Sequence, residues 1–126
     1  MTLNLIATDK APGAVGPYSQ GVKAGSFIYT SGQLAIVPET GELIKGDIQK
    51  ETRQCLDNVK AILAEGGASI EDIVKVTVFV TDIKNFSLIN EVYAEYFTNH
   101  KPARSLVEVS NLPKGGDIEI EAIAVK

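Results

Sequence analysis

At 126 residues and 13.5 kDa, the chain falls below the roughly 150 residues usually allotted to one domain, so residues 1–126 are expected to form a single unit. Hydrophobic residues make up 44% and charged residues 22%, ordinary globular usage that excludes intrinsic disorder. Lys plus Arg number 12 against 16 Asp plus Glu, and the net charge of −4 opposes the basic face that nucleic-acid binding asks for.

The single cysteine, Cys55, rules out an intrachain disulfide framework or a multi-cysteine metal cluster and fits a cytoplasmic setting. Residues 1–10 carry neither a basic then apolar leader nor an Arg-rich amphipathic presequence. The longest apolar-rich run, Ile73–Val80, is broken by Lys75 and Thr77 and is far short of the about 18 residues that cross a bilayer, so no membrane association is expected.

Residues 3–7 and 21–31 read as strands, the second broken at Ala24-Gly25 into a hairpin with Phe27, Tyr29 and Ser31 on one face. Between them, Pro12, Gly13, Gly16 and Pro17 are too many breakers for regular structure; residues 38–46 form another loop, and both loops can approach a site. Across residues 47–65, Ile48, Cys55, Leu56, Val59, Ile62 and Leu63 fall on one stripe of a helical period. Asp47 suits the N-cap of this helix and Gly66-Gly67 its stop.

Residues 73–81 are rich in β-branched side chains and predict a buried strand inside the sheet. Phe86, Ile89, Tyr93, Tyr96 and Phe97 recur at helical spacing and mark a second helix ending before Pro102. Residues 104–109 and Ile118–Val125 close the chain as two strands separated by a turn with Pro113 and Gly115-Gly116. This order of elements is α+β. Two helices can mask only one face of a six-stranded sheet, so the other face needs a partner.

No GxxxxGK[ST] loop, GxGxxG, GxSxG elbow or HExxH is present, which removes nucleotide, hydrolase-triad and zincin readings. His100 reads as a solvent-exposed residue at a helix end, and Cys55 as a small buried hydrophobe. Strand alternation puts Arg104, Leu106 and Glu108 on one face, and Glu119, Glu121, Ile123 and Val125 on one face of the following strand, so an arginine and a glutamate can converge. An arginine fork binds a carboxylate through two parallel hydrogen bonds, and a nearby carboxylate can move a proton. A solvated strand face with cross-strand ion pairs is the alternative, and spacing does not choose between them.

The segments Gly16-Pro-Tyr-Ser-Gln-Gly21, Thr30-Ser-Gly-Gln33, Thr52-Arg-Gln-Cys-Leu-Asp-Asn-Val59, Val76-Thr-Val-Phe-Val80, Asn90-Glu-Val-Tyr93, Pro102-Ala-Arg-Ser105, Leu112-Pro113 and Ile118-Glu-Ile-Glu-Ala122 resemble the RidA/YjgF family of enamine/imine deaminases. They run in the family's order over nearly the whole chain. The resemblance implies a fold similar to the small trimeric chorismate mutases: a six-stranded mixed sheet backed by two helices, with three sheets packing into the central barrel of a homotrimer and sites in clefts between subunits. It also implies site residues. Arg104 would clamp a substrate carboxylate, and Glu119 would activate the attacking water and help protonate the departing nitrogen. Tyr18 and Ser31 would offer hydroxyls and Asn90 an amide, while Gly32 would let a backbone N–H approach the ligand without a Cβ in the way.

Many members have cysteine in the second place after the arginine of the Pro-Ala-Arg segment; here Leu106 stands, so thiol modification cannot regulate the site. Family members contact the ligand there through the backbone, which Leu106 also supplies, with a tighter and more apolar wall. The implied activity is hydrolysis of reactive 2-enamino or 2-imino acids, such as 2-aminoacrylate or 2-iminopropanoate, to 2-oxo acids and ammonia, with small 2-imino or 2-oxo carboxylic acids as ligands and no metal or cofactor. Two other readings use the same chain: a translation-inhibiting endoribonuclease, an activity ascribed to some relatives, and a non-catalytic small-ligand sensor or chaperone-like binding protein.

Overall fold

Alternating apolar and polar residues near the N-terminus pair into a meander because Gly25, at φ 60°, supplies the left-handed turn that a residue with a Cβ adopts only at a cost. β1 (Leu3–Ile6), β2 (Gly21–Ala24) and β3 (Phe27–Thr30) run antiparallel in this meander. The computed structural model describes residues 3–126; Met1 and Thr2, which begin the segment read for a leader, lie outside it.

The chain then resumes as a two-residue strand, β4 (Gln33–Leu34), so the sheet has seven strands where six were expected. β3 and β4 lie end to end along β7 (Ile118–Val125): Phe27 to Tyr29 face Val125 to Ile123, and Gln33 and Leu34 face Ile120 and Glu119. Between them Ser31 and Gly32 leave the ladder. The Ala122 N–H, which would otherwise lack a strand partner, donates to the Thr30 hydroxyl at 3.0 Å.

The sheet order is β1-β2-β3-β7-β5-β6, with β5 (Ile73–Val80) antiparallel to β7 and parallel to β6 (Ala103–Glu108). The two closing strands are therefore not neighbours, because a helical crossover returns the chain to pair β6 in parallel on the far side of β5. That crossover is α2 (Phe86–Tyr96), and it lies with α1 (Ile48–Glu65) on one face of the sheet. The Asp47 carboxylate accepts the Lys50 N–H at 3.1 Å as the N-cap of α1, and Gly67 at φ 88° follows its last turn.

Leu56, Val59, Ile62 and Leu63 of α1 and Ile89, Val92 and Phe97 from the α2 segment pack on Val76, Val78, Val80, Ile118 and Ile120 in one core. Cys55 is fully buried there, and burial pushes its thiol well up, so it stays protonated. His100 is half-buried rather than exposed: its Nε2 lies 2.9 Å from the Ile73 carbonyl oxygen, where the turn after α2 brings it back onto the start of β5. The opposite sheet face is bare, with Leu3, Leu5, Phe27, Tyr29 and Val107 exposed, Leu5 at 72%. Among the described residues no helix is long and apolar enough to cross a membrane.

Candidate functional site

The interruption between β3 and β4 opens a cleft of about 620 Å³ on the bare side of the sheet. Tyr18, Ser31, Gly32 and Glu119 line it together with an apolar wall of Val15, Leu34, Ile36, Val37 and Pro38. The loop between β1 and β2 reaches the cleft because the buried Gln20 amide pins it: its Oε1 accepts the Thr8 N–H at 2.7 Å, and its Nε2 donates to the carbonyls of Thr8, Ala11 and Pro12. Ser31 ties the other end, its hydroxyl donating to the Ser19 carbonyl at 2.5 Å and its N–H to the Gln20 carbonyl at 2.8 Å. Asn58 of α1 holds the opposite wall by donating to the carbonyls of Leu34 and Ile36.

Glu119 is half-buried on β7, and burial, reinforced by the charge of Glu121 two residues along the same strand, raises its pKa from the ordinary glutamate value. Among the described residues its carboxylate accepts no hydrogen bond, so both oxygens remain open to a water or a ligand. Gly32 serves this carboxylate directly. A Cβ at position 32 would overlap the Glu119 carboxylate, so the missing side chain makes room for Glu119 itself and not only for an approaching ligand. At the rim, Lys114 adopts φ 59° in the turn before β7 and adds a cation.

Arg104 lies elsewhere. It pairs with Val76 in the β5–β6 register, and Val76 pairs with Ala122, so all three point to the helix face; Glu119 pairs with Phe79 and points to the bare face. The expected convergence of Arg104 and Glu119 on neighbouring strands does not occur within one chain, both because β5 separates the strands and because the two side chains leave opposite faces. Arg104 instead meets α2. Its Nη1 donates to Asn90 Oδ1 at 2.8 Å, and its guanidinium carbon lies 4.6 Å from the Tyr93 ring centroid and 5.8 Å from that of Phe86. Leu106, one turn of the pleat further along β6, packs half-buried against the core beside Val78.

The structure thus sorts the sequence-derived candidates into two groups: Tyr18, Ser31, Gly32 and Glu119 in the cleft, and Asn90, Arg104 and Leu106 on the helix side. Gln20, Asn58 and Lys114 were not singled out from the sequence. Gln20 and Asn58 fall inside motifs quoted above; Asn58 lies on the apolar stripe of α1 beside Cys55, Val59 and Ile62, and a polar residue there is the signal that could have found it, whereas Gln20 between Ser19 and Gly21, and Lys114 in its turn, give no such signal. Among the described residues, no group of three or more His, Cys, Asp or Glu is placed to hold a metal ion.

Comparison with known proteins agrees with this architecture. The family model described as endoribonuclease L-PSP matches residues 8–126. A RutC family protein of Pyrococcus abyssi is 56% identical over 126 residues, covering 100% of this chain and 99% of its own. The 2-iminobutanoate/2-iminopropanoate deaminase of Escherichia coli is 53% identical over 124 residues, 96% of each chain. The crystal structure of E. coli TdcF with bound serine superposes with a TM-score of 0.93 at 52% identity, covering 98% of both chains. With a family match over almost its whole length and such relatives in sequence and in fold, the chain belongs to the RidA/YjgF family.

Proposed function

We propose that this protein hydrolyses reactive 2-imino acids, and the 2-enamino acids that tautomerise to them, to 2-oxo acids and ammonia, in sites completed between the copies of a homotrimer. The observation that carries the reading is Glu119: a half-buried carboxylate with its pKa raised, no hydrogen-bond donor among the described residues, and a cleft in front of it. Such a group holds a water and takes its proton as the water oxygen bonds to the imine carbon, with the C=N electron pair going to nitrogen. That proton passes to the nitrogen, giving the carbinolamine; the carboxylate then takes the carbinolamine's hydroxyl proton and delivers it to the amino nitrogen, so that the O–H electron pair closes the C=O as the C–N bond breaks and its pair leaves with ammonia. Little more is asked of the protein than orientation, because the imine carbon is already electrophilic.

Orientation requires a cation for the substrate carboxylate, and Arg104 on the helix side suits it through a bidentate fork. Since Arg104 and Glu119 leave opposite faces of one sheet, a site with both needs a second copy, and the exposed Leu3, Leu5, Phe27, Tyr29 and Val107 on the bare face favour an assembly that covers them. The E. coli deaminase by its name acts on this substrate class, and TdcF binds serine, a small acid with nitrogen on carbon 2. The net charge of −4 disfavours the ribonuclease reading.

The test is to generate imines from several amino acids with an oxidase and to follow 2-oxo acid formation with and without the protein. Acceleration is expected; an unchanged rate would leave a ligand-binding protein. Mixing Arg104→Ala and Glu119→Gln variants after unfolding and refolding should restore part of the lost rate, because some interfaces then pair an intact arginine with an intact glutamate. No recovery from trimers shown to be mixed would place both residues in one subunit's site and sink the intersubunit reading.

A further inference from the structure

We propose that Tyr93 is a positioning residue for the carboxylate clamp, its ring face setting the plane in which the Arg104 guanidinium is held. The proposal rests on the reading of Arg104 as that clamp. Phe86, Asn90 and Tyr93 lie four and then three residues apart on α2, one helical stripe that faces β6. A single hydrogen bond, Arg104 Nη1 to Asn90 Oδ1 at 2.8 Å, anchors one corner of the guanidinium but leaves it free to swing about that bond. A ring face beneath it removes that freedom, because the attraction of a cation to an aromatic quadrupole is strongest above the face.

Of the two rings, Tyr93 is the one able to do this. Its centroid is nearer, 4.6 Å against 5.8 Å, and it is 8% exposed where Phe86 is 44% exposed. It is itself braced, its centroid 4.5 Å from that of Phe97. The Tyr93 hydroxyl is buried without a hydrogen-bond partner among the described residues, so there the ring rather than the oxygen is the useful part of the side chain. Burial pushes the phenol up to about 12, and the contact is therefore cation to neutral ring across the working pH range. With Nη1 on Asn90 and one face on Tyr93, the Nε and Nη2 edge is left for a carboxylate.

The experiment measures binding of 2-oxobutanoate by calorimetry, alongside imine hydrolysis, for wild type, Tyr93→Leu, Tyr93→Phe and Tyr93→4-cyanophenylalanine, each also in an Arg104→Ala background. Tyr93→Leu is expected to weaken binding about 3- to 30-fold, with Tyr93→Phe restoring it. In the Arg104→Ala background Tyr93→Leu should cost nothing further, which a purely structural role for Tyr93 would not produce. Equal binding by the Leu and Phe variants, or the same loss with and without Arg104, overturns the proposal. If Tyr93→Leu does not fold, the cyano ring decides, since it fills the same space with a weaker negative face: binding below that of Tyr93→Phe supports the role and equal binding overturns it. A wild type that does not bind 2-oxobutanoate, or binds it equally after Arg104→Ala, fails the clamp itself and takes this proposal with it.

Discussion

The cleft around Glu119 and the shelf around Arg104 prepare opposite charges by opposite means. Glu119 sits on a central strand in a cleft with a largely apolar wall, and what the fold does to it is remove water: burial raises its pKa, and among the described residues no donor engages its oxygens. Arg104 sits on an edge strand and is given partners instead, an amide at one corner and aromatic faces beside it. A group that must exchange a proton gains from an environment that makes its charged form less comfortable, whereas a group that must hold a carboxylate in one orientation gains from contacts that stop it moving. The supporting structure follows the same division. Loop ties made by Gln20, Ser31 and Asn58 shape the cleft, while a regular helix stripe shapes the shelf.

Removing the proton-transfer function from the cleft while keeping its shape should have the largest effect. Glu119→Gln is expected to lower kcat by about 10² to 10⁴ with 2-oxo acid binding retained, read from steady-state rates and product calorimetry. Near wild-type kcat in an intact assembly would break the comparison on the Glu119 side. Gly32→Ala probes the same carboxylate without touching it: the added methyl displaces Glu119, and kcat should fall by roughly 10², with a smaller change in the melting temperature than in activity. On the shelf, Arg104→Lys keeps the charge and loses the planar fork, so kcat/KM should drop roughly 10- to 100-fold with KM raised as well as kcat lowered. A drop confined to kcat would mean that Arg104 does not hold the ground-state carboxylate.

A second buried carboxylate sharpens the contrast with Glu119. Glu51, in the first turn of α1, is 1% exposed; its Oε2 accepts the Asp47 N–H at 3.0 Å, and its Oε1 has no hydrogen-bond partner among the described residues. Burial first, then the neighbouring Asp117 carboxyl, pushes it up to about 7 from an ordinary 4.5. Lys45, which bonds Asp117 at 2.8 Å, pulls the other way on both acids. Because the folded state holds the Glu51 proton more tightly than the unfolded chain, this group's contribution favours folding below about pH 4.5 and is lost as pH rises through about 7. Glu51→Gln removes that loss. The variant should melt close to wild type at pH 5 and be more stable than it at pH 8 by about 2 kcal/mol, by calorimetric melts across pH. Imine hydrolysis should not follow that profile, since Glu51 lies at the α1 N-terminus and not in the Glu119 cleft.

Local rules carried much of the fold. The Asp47 cap, the Gly66-Gly67 stop, the stripe from Cys55 to Leu63 and the β-branched run from Ile73 depend on residues a few positions apart, and the structure places those elements within a residue or two of where spacing does. The motifs from Gly16 to Ala122 identified the family, and strand alternation put Glu119 and Glu121 on one face of β7.

Other features were decided only by tertiary structure, because they depend on which strand lies beside which. Nothing local says that β5 intervenes between β6 and β7 or in what register it pairs with each, and order and register together turn an apparent Arg104–Glu119 pair into residues on opposite sides of a sheet. The break at Ser31 and Gly32 exists because β7 pairs on both sides of it, and Gly32 is required by a carboxylate 87 positions away in the chain. His100 likewise reads as exposed until the chain folds it back onto the Ile73 carbonyl. Sequence periodicity specifies which side of its own element a residue occupies; only packing specifies what stands opposite, and the environments of Glu119 and Arg104 are made by what stands opposite.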